Sequence, residues 1–227
     1  NMEEKQVISP TFVVVTALFI AALIASNIIA VKLVVIAGQV LTAGIIIFPV
    51  SYIVGDILTE VYGFRRARAV IWLGFGSNLL VVAAIWVAGL LPPASFWAAN
   101  QPAYETILGY VPRLLAASFA AYLIGEFVNA GILSRMKILT RGKWLWSRTI
   151  GSTLVGQGLD STVFVIIAFS GEVPDLWHLI WVQWAAKVLY EVVATPVTYV
   201  VVDWLKNKER IDTFDNGVTL NPIGSLR

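Results

Sequence analysis

The sequence predicts an all-α integral membrane protein with six transmembrane helices and both termini in the cytoplasm, and three observations carry that prediction. Of 227 residues, 58% are hydrophobic and only 13% are charged, and the mean hydropathy of +0.80 lies outside the soluble range. Apolar runs recur from end to end, each near the length of about 20 residues that a helix needs to cross about 30 Å of hydrocarbon. Lys and Arg fall almost wholly in alternate loops. The short alternating segments of a membrane β-barrel are missing, so strands are not expected.

The spans are expected at about 12–36, 41–62, 69–91, 106–134, 149–170 and 178–205. Together they make one six-helix domain over 1–205, followed by a polar cytoplasmic tail, 206–227, that orders only where it docks. The first span is apolar throughout and carries Ala17, Ala21 and Ala25 as a small-residue ridge, a common helix-packing surface. The second begins after GQVLT and ends in the basic FRRAR; the third runs to Pro92 and Pro93, where a helix must stop. The fifth is entered from RMKILTRGKWLWSR and the sixth from GEVPDLW. The third, fourth and sixth are long enough to tilt or project. Trp144, Trp146, Trp177 and Trp181 suit interfacial anchors. NMEEKQ lacks the basic n-region of a signal peptide, so the first span is expected to be retained.

Thirteen of the sixteen Lys and Arg residues sit at Lys5, in Arg65 to Arg68, in Arg135 to Arg148 and in the tail from Lys206. With six spans these all share one side, which the positive-inside rule makes cytoplasmic. The other three, Lys32, Arg113 and Lys187, fall within spans, against the acids Asp56, Glu60, Glu126, Asp160 and Glu191. An unpaired charge in hydrocarbon costs several kcal/mol, so such side chains should face the bundle interior.

Helical spacing supports that orientation. Ser118, Tyr122, Glu126 and Asn129 form a stripe on the fourth span, and Thr153, Gln157, Asp160 and Phe164 on the fifth. Gln183, Lys187, Tyr190 and Glu191 share a face of the sixth. By residue count, Asn27, Asn78, Gln157, Asp160, Lys187 and Glu191 lie in the middle third of the membrane, with Asp56 and Glu126 displaced toward the cytoplasm. That is the outline of a midplane binding site.

Plainer roles stand beside this one. Lys187 with Glu191 can form a packing ion pair, and Glu60 can pair with Arg65 or Arg66 at the interface. Asp203 and Arg113 can snorkel from span ends. Asn27 and Asn78 can serve as interhelical glue. His178, the only histidine, sits at an outer interface. The absence of Cys excludes disulfides, thiolate metal sites and a Cys nucleophile. No HExxH or GxSxG occurs, so enzyme activity, a metal and a cofactor are not expected. Topology accounts for the net charge of +2, which requires no nucleic-acid partner.

ASNIIAVKL, FPVSYIVGDILTEVYGFRRAR, AASFAAYLIGEFVNAGILSRMK, STLVGQGLDSTVFVIIAF and the Lys187–Pro196–Tyr199 pattern together resemble the vitamin uptake transporter family, in order and over nearly the whole chain. The resemblance implies a fold like the substrate-binding subunits of energy-coupling factor transporters. It also implies import of the queuosine precursors 7-cyano-7-deazaguanine and 7-aminomethyl-7-deazaguanine across the bacterial inner membrane. The carry-over falls on Ser26, Asn27, Pro49, Asp56, Asp160 and Lys187. At Glu126 and Asn129 the family form has Gln and Asp, so acid and amide are exchanged here.

A deazaguanine offers an N–H and an amine side by side, which a carboxylate, Glu126 or Asp160, can accept together. Its carbonyl edge needs donors from Asn27, Asn129, Gln157 or Lys187, and its flat rings need faces such as Tyr122, Phe164 or Tyr190. Asp56 and Glu60, with Glu191, are the gating or coupling candidates. Asp56 and Glu60 form either a latch with Arg65, Arg66 or Arg68, or a static cap on the helix end. Buried acids in excess allow proton coupling, while facilitated diffusion and an energy-coupling module with ATPases fit equally. A homodimer also remains open.

Overall fold

The computed structural model describes residues 9–30, 32–36, 38–109, 112–171, 175–218 and 220–222. Seven helices follow in order: α1 (Pro10–Ile29), α2 (Phe48–Tyr62), α3 (Phe64–Leu90), α4 (Gln101–Leu108), α5 (Pro112–Leu139), α6 (Leu145–Phe169) and α7 (Leu176–Glu209). Among the described residues, α1, α3, α6, α7 and the Ala117–Leu139 stretch of α5 are long and apolar enough to cross a membrane.

Side-chain distribution matches a lipid environment. Val193, Val200, Leu80 and Trp86 are exposed, while Asp56, Glu60, Glu126 and Gln157 are buried. In water such an exposed apolar surface would drive association; against lipid it is solvation. The protein is a multi-pass membrane protein.

The second expected span departs most from its prediction. Its helix, α2, has 15 residues, which at about 1.5 Å each reach roughly 22 Å, short of the hydrocarbon thickness. Twelve of those residues are buried, because α2 runs through the middle of the bundle against α1, α3, α5 and α7. Protein, not lipid, surrounds it, so the chain before it can leave helical geometry.

That preceding chain contains strands, contrary to expectation. The first apolar run stops being helical at Ile29; β1 (Leu33–Ile36) then pairs antiparallel with β2 (Gln39–Thr42), with Leu33 opposite Thr42 and Ile36 opposite Gln39. Gly38, at φ +77°, supplies the left-handed residue that a tight hairpin needs. A 3-10 turn, Ala43–Ile46, packs on α1 so closely that a Cβ on Gly44 would lie 2.9 Å from the Ser26 carbonyl oxygen. Lys32 is therefore an exposed residue at the mouth of the hairpin, not part of a helical span. The fourth run also divides: α4 stands apart from α5, and the side chain of Arg113, like Lys5 and Arg227, lies outside the described residues.

At the basic end, residues 210–218 and 220–222 fold back across the bundle. Asp215 Oδ2 accepts from the Phe64 backbone N–H at 2.9 Å and from Ser134 Oγ at 2.6 Å, so a tail carboxylate caps the N-terminus of α3. Arg68 Nη1 donates to the Asn221 carbonyl at 2.7 Å, and Trp72 Nε1 to that of Pro222 at 2.8 Å. The tail presses on Gly63, which joins α2 to α3 at φ +83°; a Cβ there would sit 2.6 Å from Thr213 Cγ2. Gly63→Ala combines a strained φ with a clash and is expected to cost about 2 kcal/mol or more. Thermal unfolding in detergent checks this, and an unchanged midpoint would refute the strap geometry.

Candidate functional site

Beneath the hairpin lies a cavity with about 820 Å³ of empty space, counting its open mouth. α1 contributes Leu23, Ser26, Asn27 and Ala30; the hairpin and its turn contribute Leu41, Gly44 and Ile45; α2 contributes Phe48. Ser118, Ala121 and Tyr122 of α5, Asp160 and Phe164 of α6, and Gln183 and Lys187 of α7 complete the wall. Mostly apolar walls with a few convergent polar groups are the usual form of a small-molecule site.

Five of the polar groups are held in place. Lys187 Nζ pairs with Asp160 Oδ2 across the α6–α7 interface and lies 4.7 Å from the centroid of the Phe48 ring. Such a cation–π contact further stabilises the ammonium away from water. Ser118 Oγ donates to Asn27 Oδ1 at 3.3 Å, tying α5 to α1. Tyr122 donates its hydroxyl proton to the Ile71 carbonyl at 3.0 Å, leaving its ring toward the cavity. Asp160 thus presents a carboxylate, Lys187 a cationic donor, and Phe48, Tyr122 and Phe164 present rings.

The cavity gathers Asn27, Tyr122, Asp160, Phe164 and Lys187 from the sequence-predicted set, with Ser26, Ser118 and Gln183 from the same stripes. Glu126, Asn129, Gln157 and Tyr190 do not line it. The first three are buried below, toward the basic end, where Asn129 Nδ2 donates to Asp56 Oδ1 at 2.5 Å. At position 129 an amide donates to Asp56 as it stands, whereas a carboxylate would need a proton to do so. Tyr190 is half-buried on α7.

Two predicted pairings are corrected. Lys187 pairs with Asp160, not with Glu191 one turn along its own helix; Glu191 is buried instead. Glu60 binds neither Arg65 nor Arg66. Its Oε1 accepts from Arg148 Nη2 at 2.9 Å and Lys206 Nζ at 2.7 Å, with Lys137 Nζ at 3.6 Å. Lys137 and Lys206 also reach Asp212 Oδ1 at 2.5 and 3.0 Å. Burial alone would raise the Asp212 carboxyl, and the two lysines outweigh it, holding it below the ordinary carboxylate range.

Sequence reasoning missed Phe48, the hairpin residue Leu41, and Gly44 and Ile45 of the 3-10 turn. A signal was present: LVVI and QVLT are short β-branched runs on either side of Gly38. Within a long apolar stretch, hydropathy hid it.

A family model described as "putative vitamin uptake transporter" matches residues 42–201 of the chain. A Bacillus subtilis (strain 168) protein named "Probable queuosine precursor transporter" is 31% identical over 192 residues, 83% of each chain. The Escherichia coli (strain K12) protein named "Queuosine precursor transporter" is 28% identical over 134 residues, 59% of this chain and 58% of its own. A Haemophilus influenzae (strain ATCC 51907 / DSM 11121 / KW20 / Rd) protein, also named "Probable queuosine precursor transporter", is 27% identical over 142 residues, 63% of this chain and 57% of its own. No solved structure matches the chain.

Proposed function

We propose that this chain, which belongs to the vitamin uptake transporter family, carries queuosine precursors into the bacterial cell across the inner membrane. Membership makes it a transporter, not an enzyme. The observation that carries the substrate reading is the Asp160–Lys187 pair set among aromatic rings in the wall of the cavity. A 7-deazaguanine places its N–H and amine on Asp160 and its carbonyl edge toward Lys187, replacing one ion pair by two charge-assisted contacts. Phe48, Tyr122 and Phe164 then cover the ring faces. Asn27 and Gln183 are the remaining wall donors.

The reading includes six crossings with both termini cytoplasmic, α2 and its hairpin making up the second. The Lys and Arg distribution supports it, because the basic end then faces the cytoplasm and the cavity faces outward. Glu60 with its three cations closes the cytoplasmic end, whereas Asp56 and Glu191 serve coupling and not closure. Work as a substrate-binding subunit with ATPase partners is the second reading. It is favoured only by the outward exposure of Ala17 and Ala21 on α1.

Uptake of labelled 7-cyano-7-deazaguanine into proteoliposomes containing the purified chain tests the proposal. Saturable uptake that unlabelled 7-aminomethyl-7-deazaguanine inhibits is expected, without any added ATPase. Uptake that appears only with ATP and co-purified partners would favour the second reading.

A further inference from the structure

Between the cavity and the basic end lies a buried layer of acids that substrate contact does not explain. Asp56, Glu126 and Glu191 are 0%, 1% and 2% exposed. Each has a carboxylate oxygen that finds no hydrogen-bond partner among the described residues. The nearby cations are engaged elsewhere: Lys187 pairs with Asp160, while Lys137, Arg148 and Lys206 surround Glu60. Three bare negative charges in a dry interior would cost several kcal/mol each, a cost that bound protons remove.

The layer is continuous from the cavity to the cytoplasmic end. α5 and α6 pack through Gly125 and Gly156; a Cβ on Gly125 would lie 2.8 Å from both Asp160 Cβ and the Tyr52 hydroxyl. Tyr52 is buried, with its hydroxyl turned toward Asp160. A Cβ on Gly55 would meet Glu126 Oε2 at 3.2 Å, which sets Glu126 against α2. Asn129 joins α5 to Asp56 at 2.5 Å. Glu60 follows Asp56 by one turn of α2, and the lysines on Glu60 also hold Asp212, which is 45% exposed.

The groups facing Glu126 and Asp56 come from α2, α5, α6 and α7. Glu126 faces Asp160 of α6, Tyr52 of α2 and Tyr122 of its own helix. Asp56 faces Glu191 of α7, Asn129 and Glu126 of α5, and Glu60. No grouping of three or more His, Cys, Asp or Glu side chains able to hold a metal ion occurs among the described residues.

We propose that Glu126, Asp56 and Glu191 pass a proton from the cavity toward the basic end with each substrate molecule, so that the protein is a proton symporter. This rests on the transport reading above. One proton enters from the outer side with the substrate and leaves to the cytoplasm, and no bond to substrate forms or breaks. Coupling arises because Asp160 lies in electrostatic reach of Glu126. A substrate that engages Asp160 changes the field at the next acid in the row.

The test uses proteoliposomes of the full chain with a pH-sensitive dye inside and the membrane potential clamped to zero. Labelled 7-cyano-7-deazaguanine is followed under counterflow without a pH gradient, then with the lumen made more alkaline than the medium. Counterflow establishes transport by itself. The expected result is acidification of the lumen on substrate addition and accumulation of about tenfold per pH unit of gradient, the ratio for one proton with a neutral substrate. Glu191→Gln is expected to keep counterflow while accumulation falls to equilibration. Asp56→Asn serves the same purpose where Glu191→Gln does not fold. Counterflow in the wild type without acidification or gradient-driven accumulation overturns the inference and leaves the transport reading intact. Accumulation that survives both substitutions overturns it as well. Absence of both counterflow and binding removes the transport reading and this inference together.

Discussion

Glu60→Ala is expected to remove most of the folded protein. The carboxylate is fully buried and balances Arg148 and Lys206 at 2.9 and 2.7 Å, with Lys137 at 3.6 Å. Arg148 and Lys137 are themselves only 1% and 2% exposed. Removing the acid leaves the buried Arg148 without its ion-pair partner and Lys137 and Lys206 with Asp212 alone, and breaking a buried pair from one side costs about 3–5 kcal/mol. Against a typical stability of about 5–15 kcal/mol, that is a large fraction. Lys137 Nζ also donates to the Glu60 carbonyl at 2.5 Å and to that of Thr213 at 2.7 Å, so the loss spreads to the tail strap. Size-exclusion profiles and thermal midpoints in detergent read the effect. Glu60→Gln, which keeps an acceptor but not the charge, is expected to fall between wild type and Ala. A wild-type midpoint for Glu60→Ala would show that the cluster does not hold the basic end together.

Asp160→Asn carries the largest expected effect on function. The substitution keeps the side-chain shape but removes the charge that pairs with Lys187, and truncating one partner of such a buried charge pair costs about 2–5 kcal/mol. Uptake at low substrate concentration is expected to fall roughly 30-fold or more. Because Lys187 is left unpaired, some of the loss reflects stability. The double variant Asp160→Asn with Lys187→Met separates the two. It removes the orphaned cation and is expected to recover the thermal midpoint without recovering uptake. Recovery of uptake along with stability would mean that the pair is structural only.

Much of the bundle was legible because lipid imposes a simple rule: long apolar runs, charges pointing inward and basic loops on one side. The runs that became α1, α3, α5, α6 and α7 obey it. α2 does not, since a helix enclosed by protein needs neither full hydrocarbon length nor a helical approach, and hydropathy cannot distinguish its buried flank from lipid-facing chain. Helical stripes correctly grouped Ser118 with Tyr122 and Asp160 with Phe164, because each stripe is local to one helix. Partner choice was not local. Glu60 reaches Arg148, 88 positions away, and Lys206, 146 away, past arginines only a turn or two along the chain. Lys187 turns to Asp160 on α6 while Glu191, one turn on, is buried in the acid layer facing Asp56 of α2. Spacing places side chains on a face, and only packing decides which neighbour that face meets.

Equilibrium binding of 7-cyano-7-deazaguanine to the purified wild-type protein, with guanine and riboflavin alongside, and then to Asp160→Asn, tests the central claim that the cavity beneath the hairpin is the substrate site. Saturable binding of the deazaguanine, weak or no binding of riboflavin, and loss of binding in well-folded Asp160→Asn are predicted. Folded wild-type protein that binds no deazaguanine, or binding that Asp160→Asn leaves undiminished, would contradict it.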